Sequence, residues 1–253
     1  MYKLMFFGVA AMTAAGAASA QTADAPTWSG PYAGLHAGYG IDGDAHMDIS
    51  GTSTATNNAI ASGTRPRAIG QDREGFVGGG QVGWNFQRGN WVFGPEGDFS
   101  YMRTRGTNSV YTNATGGGVQ ETLARSRMEW MGSARLRAGH TLGNGLVYAT
   151  GGYAFGKVKG SATFNTPTGV QNYAGRNSYT AQGWTAGGGA EFRPFHEGNL
   201  SKVSFGLEAT YYDLGRSHIY NGGTNAATIN SGAYVIGRDT RGYNGVVKVN
   251  YAF

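Results

Sequence analysis

The sequence predicts an all-β protein, an eight-stranded antiparallel up-and-down transmembrane β-barrel with four long extracellular loops. Three observations carry this reading. Apolar and polar residues alternate with period two in eight segments, the connections between segments alternate short and long, and the apolar faces carry aromatic rings at their ends. Composition points the same way: 45 glycines, 13% aromatic residues and only 14% charged residues in 253. A soluble domain carries about 25% charge, so a soluble enzyme fits poorly. Glycine without a three-residue period excludes collagen, and the many rings exclude a disordered chain.

Residues 1–20 read as a secretory leader, with a cation at Lys3, an apolar stretch from Leu4 to Ala18, and the small pair Ala18 and Ala20 before a cut at Gln21. Residues 21–30 then form a short periplasmic segment and 31–253 the barrel domain. Cysteine is absent, which removes disulfides, a lipidated cysteine and thiol chemistry. After residue 20 no run approaches 18 apolar residues, so any membrane crossing falls to strands.

Each segment has its own alternation. Pro31 to Tyr39 opens the barrel. Phe76 to Gln87 places Phe76, Val82, Trp84 and Phe86 opposite Gln81, Asn85 and Gln87. Arg88-Gly89-Asn90 supplies turn chemistry, and Trp91, Phe93, Phe99 and Tyr101 then oppose Glu96, Asp98 and Ser100. Met128 to Gly139 sets Met128, Trp130, Ala134 and Leu136 against Glu129, Ser133, Arg135 and Arg137, and Leu142-Gly143-Asn144-Gly145 turns into Leu146 to about Gly156. Gly183 to Phe192 pairs with Lys202 to Tyr212. Tyr243 to Phe253 ends the barrel, with Val247, Val249, Tyr251 and Phe253 on one face.

Long polar connections are predicted near 41–75, 103–127, 158–181 and 213–242. Bacterial barrels keep short turns in the periplasm and long loops outside, which orients the chain. In that orientation Trp84, Phe86, Trp91, Phe93, Phe192, Tyr251 and Phe253 form a periplasmic girdle. Tyr39, Phe76, Tyr101, Trp130, Tyr153, Phe155, Trp184, Tyr211 and Tyr243 form the outer one. The competing soluble sandwich or lipocalin-like barrel would have to bury all these rings at strand ends.

The ends of the chain, Trp28-Ser29-Gly30-Pro31-Tyr32-Ala33-Gly34 and Val246 to Phe253, carry a resemblance that Leu146 to Ala154, Gly183 to Gly189 and Leu207 to Gly215 share. The chain resembles the alphaproteobacterial outer-membrane immunogenic proteins, porin-like surface antigens with an OmpA-type transmembrane barrel. The resemblance implies an outer-membrane location, a surface-antigen role and, for a few members, haem binding. It specifies fold more closely than function.

The lumen-facing set is Glu96, Asp98, Glu129, Glu191 and Glu208 against Arg135, Arg137, Lys202 and Lys248. An eight-stranded barrel is just wide enough for side chains to fill. These groups are therefore expected to form a paired polar plug, with Glu96 near Arg135 and Glu208 near Lys248. An envelope-stabilising surface barrel follows, with a small-solute porin and a haem- or host-ligand-binding barrel as alternatives. Glu96 and Asp98 could also be read as a catalytic pair, but acids beside arginines are more simply ion-paired, and no enzyme is expected.

Gly151 to Val158 nearly spells a phosphate loop, yet Val158 stands where Ser or Thr is needed. His36, His46, His140, His196 and His218 show no ligand spacing, so neither a metal nor a cofactor is expected. Ser217, His218 and Glu208 form a hydrolase-like set by proximity alone. The formal charge is +5, much of it arginine near the outer rim. Guanidinium forks suit phosphate, so Arg103, Arg105, Arg125 and Arg127 are expected to contact lipopolysaccharide. The expected partners are thus outer-membrane lipid and lipopolysaccharide, the barrel-assembly machinery reading Val247, Val249, Tyr251 and Phe253, and a host ligand or haem. Nucleic acid is not expected.

Overall fold

The computed structural model describes residues 27–42, 46–70, 73–113 and 118–253; the expected leader and its cut at Ala20 lie outside them. Eight long strands make the wall: β1 (Gly30–Asp42), β4 (Glu74–Arg88), β5 (Trp91–Asn113), β6 (Val119–Leu142), β7 (Gly145–Asn165), β8 (Gln171–Phe192), β9 (Val203–Gly223) and β10 (Tyr234–Ala252). Each pairs antiparallel with the next, and β1 pairs with β10 from Tyr32↔Ala252 to Asp42↔Gly242, which closes the ring. Two short strands, β2 (His46–Gly51) and β3 (Ala68–Gly70), flank helix α1 (Thr54–Ala61) in the first outer connection.

The short turns are where the sequence places them. Gly89 and Gly143 take φ of 58° and 59°, left-handed values that a residue without Cβ adopts freely, and each begins a two-residue hairpin turn. The third, at 193–202, is longer and contains a 3-10 turn, Asn199–Lys202.

Three of the four outer connections are largely strand, with non-strand tips that among the described residues include 166–170 and 224–233. β5 and β6 stay paired from Thr104↔Met128 up to Asn113↔Val119, and β7, β8, β9 and β10 extend likewise. The cause is an inversion of the alternation along unbroken strands. On β7, Val147, Tyr153 and Phe155 point outward and apolar, but the next outward residues are Lys157, Lys159, Ser161 and Thr163, while Val158, Ala162 and Phe164 turn in and are buried. Below the inversion the outside meets lipid. Above it the outside meets water and the inside becomes an ordinary core.

The outward apolar band runs on β5 from Trp91 to Tyr101, ten residue steps. At about 3.4 Å per step and a tilt of about 40° this spans about 26 Å, the height of a bilayer's hydrocarbon band. Rings line its upper edge in contact, Phe99 with Trp130 at 5.6 Å, Trp130 with Phe155 at 6.0 Å, and Trp184 with Tyr211 and Tyr211 with Tyr243 at 5.3 and 5.1 Å.

Above the band stands a second storey. There β2 continues the line of β1, pairing with β10 from Met47↔Arg238 to Gly51↔Tyr234, and β3 pairs with β2. The Asn108 amide of β5 donates to the Gly70 carbonyl, tying β3 to the other side. Inside, Met47, Ile49, Ile69, Ala124, Phe164, Tyr173, Ile219, Tyr234 and Ile236 form one core. Ser53 caps α1 above it: its hydroxyl accepts from the Thr56 amide at 3.2 Å while the Thr56 hydroxyl accepts from the Ser53 amide at 3.0 Å. Arg65 lies buried beneath, 5.3 Å from the Phe164 ring centre, donating to the Glu121 and Asn165 carbonyls at 3.3 Å. Burial pulls its guanidinium below the ordinary range and pushes the Tyr234 phenol up.

Candidate functional sites in the lumen and on the outer wall

The inward positions of the membrane storey hold a buried ionic network. Glu96 of β5 is its centre, accepting from Arg135 at 2.6 Å, Lys248 at 3.1 and 3.2 Å and the Tyr32 hydroxyl at 2.7 Å, with Arg137 at 3.4 Å. Glu208 of β9 accepts from Arg135 at 2.7 Å, Lys248 at 2.9 Å and the Tyr148 hydroxyl at 2.8 Å. Glu191 of β8 accepts from Arg137 at 2.7 Å, Ser204 at 2.9 Å and Asn250 at 3.1 Å. Asp98 faces Arg135 Nε at 3.3 Å and accepts from Ser133. Every carboxylate thus meets a cation, the condition under which buried charge is tolerable.

The network fixes the groups beside it. Because the Glu191 carboxylate only accepts, the Asn250 amide nitrogen must face it, so Asn250 Oδ1 accepts from Gln81 Nε2 at 2.6 Å. Gln81 Oε1 then accepts from His36 Nδ1 at 2.6 Å, which places a proton on that nitrogen, and Nε2 faces Ser100 at 2.8 Å. Histidine, amides and carboxylates form one connected chain across the lumen. The cavities beside it are small, about 20 Å³ lined by His36, Asp98, Arg135 and Lys248 among others and about 10 Å³ lined by Trp28, Tyr32, Glu191 and Asn250 among others, room for little more than one water each.

Apolar layers lie on both sides of the network. Above it, Val77, Met102, Met128, Met131, Val158, Tyr212 and Leu214 pack together. Below it Trp28, 2% exposed, lies with Val92, Leu146 and Tyr148 in the periplasmic mouth. The Arg193 guanidinium sits 4.2 Å from the Trp28 ring centre and donates to the Thr27 carbonyl at 2.7 Å. Trp28, just before β1, therefore sits in this mouth as a cork. Tyr32, Tyr148, Gln81, Trp28 and Arg193 were not expected in this role. The inward parity of Tyr32 and Tyr148 is legible, since each alternates with outward apolar neighbours, but nothing local marks Trp28.

Two residues expected in the lumen lie elsewhere. A β-bulge between Met128 and Trp130 gives β6 an extra residue, so Met128 turns inward and Glu129 outward. Glu129 pairs there with Arg127 at 3.1 Å and Lys159 at 2.8 Å. Lys202 ends the 3-10 turn at the periplasmic rim, its Nζ 5.9 Å from the Tyr251 ring centre. The chemical alternatives also separate. Glu208 belongs to the lumen network while His218, ten residues further along β9, is exposed in the outer storey, about 33 Å away at strand rise. Gly151 to Val158 is continuous strand with no helix after it. Among the described residues no group of three His, Cys, Asp or Glu could hold a metal ion.

Arg103, Arg105, Arg125 and Arg127 all lie on the outward face of β5 and β6, exposed, in the first tiers above the aromatic edge. On β10, Val247 and Val249 are exposed and Tyr251 is half-buried, and Phe253, just past its end, is exposed. Tyr251 and Phe253 meet edge to face at 5.4 Å, and the Phe253 amide donates to the Pro31 carbonyl at 3.0 Å.

Comparison with known proteins gives a consistent setting. Residues 9–252 match the family described as outer membrane protein β-barrel domain. The 31 kDa outer-membrane immunogenic protein of Brucella melitensis is 35% identical over 205 residues, 80% of this chain and 78% of that protein. The 22 kDa outer membrane protein of Rhizobium leguminosarum is 33% identical over 49% of this chain and 48% of that protein. Among solved structures, the outer membrane protein OprG of Pseudomonas aeruginosa aligns with a TM-score of 0.53 at 12% identity, over 89% of this chain and 96% of that one. The Escherichia coli outer membrane protease OmpT aligns with a TM-score of 0.50 at 8% identity, over 88% and 97%. At such identities the two structures speak for the fold alone.

Proposed function

The chain belongs to the outer membrane protein β-barrel domain family and is an outer-membrane protein, and from that premise we propose that it is a sealed surface barrel that stabilises the envelope and presents its outer storey to the environment. The observation that carries this reading is the continuous lumen network joining Glu96, Asp98, Glu191 and Glu208 to Arg135, Arg137 and Lys248. Its paired side chains oppose a water column, and the methionine layer, the outer core and the Trp28 cork lie in series with it. A role as a surface antigen is in keeping with the immunogenic proteins it resembles. The porin alternative requires these layers to open together. Purified protein in planar bilayers is expected to give no steady conductance, and reproducible unitary steps would overturn the sealed reading.

The cork and the network can be separated experimentally. Trp28→Ala removes a buried ring and the partner of Arg193, with an expected loss of about 3 kcal/mol in stability. The network is untouched, so conductance should remain absent. Single-channel activity in this variant would move the seal from the network to the cork.

Two surfaces extend the proposal. Outward Arg103, Arg105, Arg125 and Arg127 lie in the first tiers above the aromatic edge, a height that suits lipopolysaccharide phosphates, and bidentate guanidinium contacts there would anchor the barrel in its outer leaflet. The face of Val247, Val249, Tyr251 and Phe253 lies on the strand that closes the seam with β1, and it would be the surface read during assembly. Phe253→Ala is expected to slow the appearance of the folded, heat-modifiable form in cells severalfold without altering the melting of protein refolded in detergent. Normal assembly kinetics would remove that role.

A further inference from the structure

The outer wall above the aromatic edge is uneven in charge. On the sector built from β5 to β8, Arg105 lies directly opposite Arg127, and Arg127 directly opposite Lys159, with Ser178 next on β8. One tier higher the order is Thr107, Arg125, Ser161 and Arg176. These residues line one groove of about 610 Å³ on the outside of the barrel, floored by glycine and serine. Like charges directly opposite on neighbouring strands destabilise a sheet. Glu129 offsets part of this, pairing with Arg127 and Lys159, Glu74 faces Arg105 across the β4–β5 ladder and Glu121 lies within electrostatic reach of Arg125, while Arg176 stands opposite Ser161. The groove thus gathers five cations against three acids at its edges, whereas Arg216 is matched to Asp48 at 2.6 Å and Arg241 faces Asp213 across the β9–β10 ladder.

We propose that this groove is a dedicated cradle for the headgroup of one bisphosphorylated lipid A molecule, held by Arg105, Arg125, Arg127, Lys159 and Arg176. The proposal rests on the lipopolysaccharide contact above and sharpens it to one site, one sector and two further cations. Three features select a lipid over a soluble polyanion. The cation tiers begin immediately above the lipid-facing band. Phe99, Trp130 and Phe155 make a continuous outward aromatic surface below the groove, against which acyl chains can lie. The flexible Lys159 and the planar arginine forks sit on both sides of a small-residue floor, so a phosphate can approach the backbone and be reached from several strands at once.

The test uses the full-length barrel purified in detergent, with bisphosphorylated lipid A, its dephosphorylated form and a heparin octasaccharide as probes, read by native mass spectrometry. The wild-type protein should bind one lipid A per barrel, at least tenfold more tightly than the dephosphorylated form. Lys159→Gln with Arg176→Gln should lower the affinity about tenfold, whereas Arg216→Gln with Arg241→Gln should leave it unchanged. Without lipid, Arg176→Gln should melt no lower than the wild type, because Arg176 stands opposite Ser161 with no acid facing it across that ladder, and this checks that the fold is intact.

If Lys159→Gln with Arg176→Gln is neutral but a variant with Arg103, Arg105, Arg125 and Arg127 all changed to Gln loses lipid A, the cradle fails and the general contact stands. If neither variant changes binding, both fail. If heparin binds as tightly as lipid A, or several lipids bind with equal affinity, the dedicated lipid site is overturned.

Discussion

Glu96→Ala is expected to destabilise the barrel by about 3 kcal/mol, the cost of removing the shared carboxylate of a buried ionic cluster with its charge-assisted hydrogen bonds. Glu96 is fully buried at the crossing point of Arg135, Arg137 and Lys248. Its loss does not strip any cation of every partner. Arg137 keeps Glu191 at 2.7 Å, Arg135 keeps Glu208 at 2.7 Å, and Lys248 keeps Glu208 at 2.9 Å. What disappears is the group that joins two otherwise separate clusters, Arg137 with Glu191 and Arg135 and Lys248 with Glu208, and the Tyr32 hydroxyl loses its acceptor as well. Glu96→Gln keeps the volume and one acceptor oxygen and should cost less. Urea unfolding in detergent reads both. A cost below about 1 kcal/mol for Glu96→Ala would place water around this carboxylate, and the sealed reading would fail with it.

The membrane storey is legible in the sequence because lipid imposes a strict rule, apolar out and polar in, on strands such as Phe76 to Gln87. The outer storey obeys the opposite rule on the same strands. Read with the lipid rule, Lys157, Lys159, Ser161 and Thr163 look like loop, although Val158, Ala162 and Phe164 between them keep period two. The strand ends are therefore invisible to any reading that takes polarity on one face as the end of a strand. The first outer connection is harder still: β2 and β3 are short, and each holds its place only because β10 or β5 lies beside it.

The lumen site divides in the same way. Glu96, Asp98, Arg135, Arg137, Glu191, Glu208 and Lys248 are recoverable because counting up from tight turns carries parity without error over a few residues. Glu129 is not recoverable, because the count crosses a bulge between Met128 and Trp130 that no residue type announces. Trp28 lies outside any strand and is placed by the cavity it fills and by Arg193 stacked upon it. The cations of the groove were visible as arginines. That Arg105, Arg127 and Lys159 stand in one row depends on the register of three strands, which is set by packing through the outer core.

Phe164→Ala should separate the two storeys. Phe164 is fully buried, stacked on Tyr234 at 4.6 Å, edge to face with Tyr173 at 6.3 Å, and covered by Arg65 at 5.3 Å. Deleting a buried aromatic ring costs about 3–5 kcal/mol. Here the loss falls on a core built from β2, β3 and the upper halves of β6 to β10, which shares no lipid contact with the band below. Local opening should then come well before global unfolding. Protease added to intact cells should cut the variant in the outer storey at least tenfold faster than the wild type. The membrane-embedded strands, with the network around Glu96 intact, should keep their resistance to heat and detergent. Simultaneous loss of both would mean that the storeys fold as one unit, and that the inversion of polarity along each strand divides only the solvent and not the stability of the barrel.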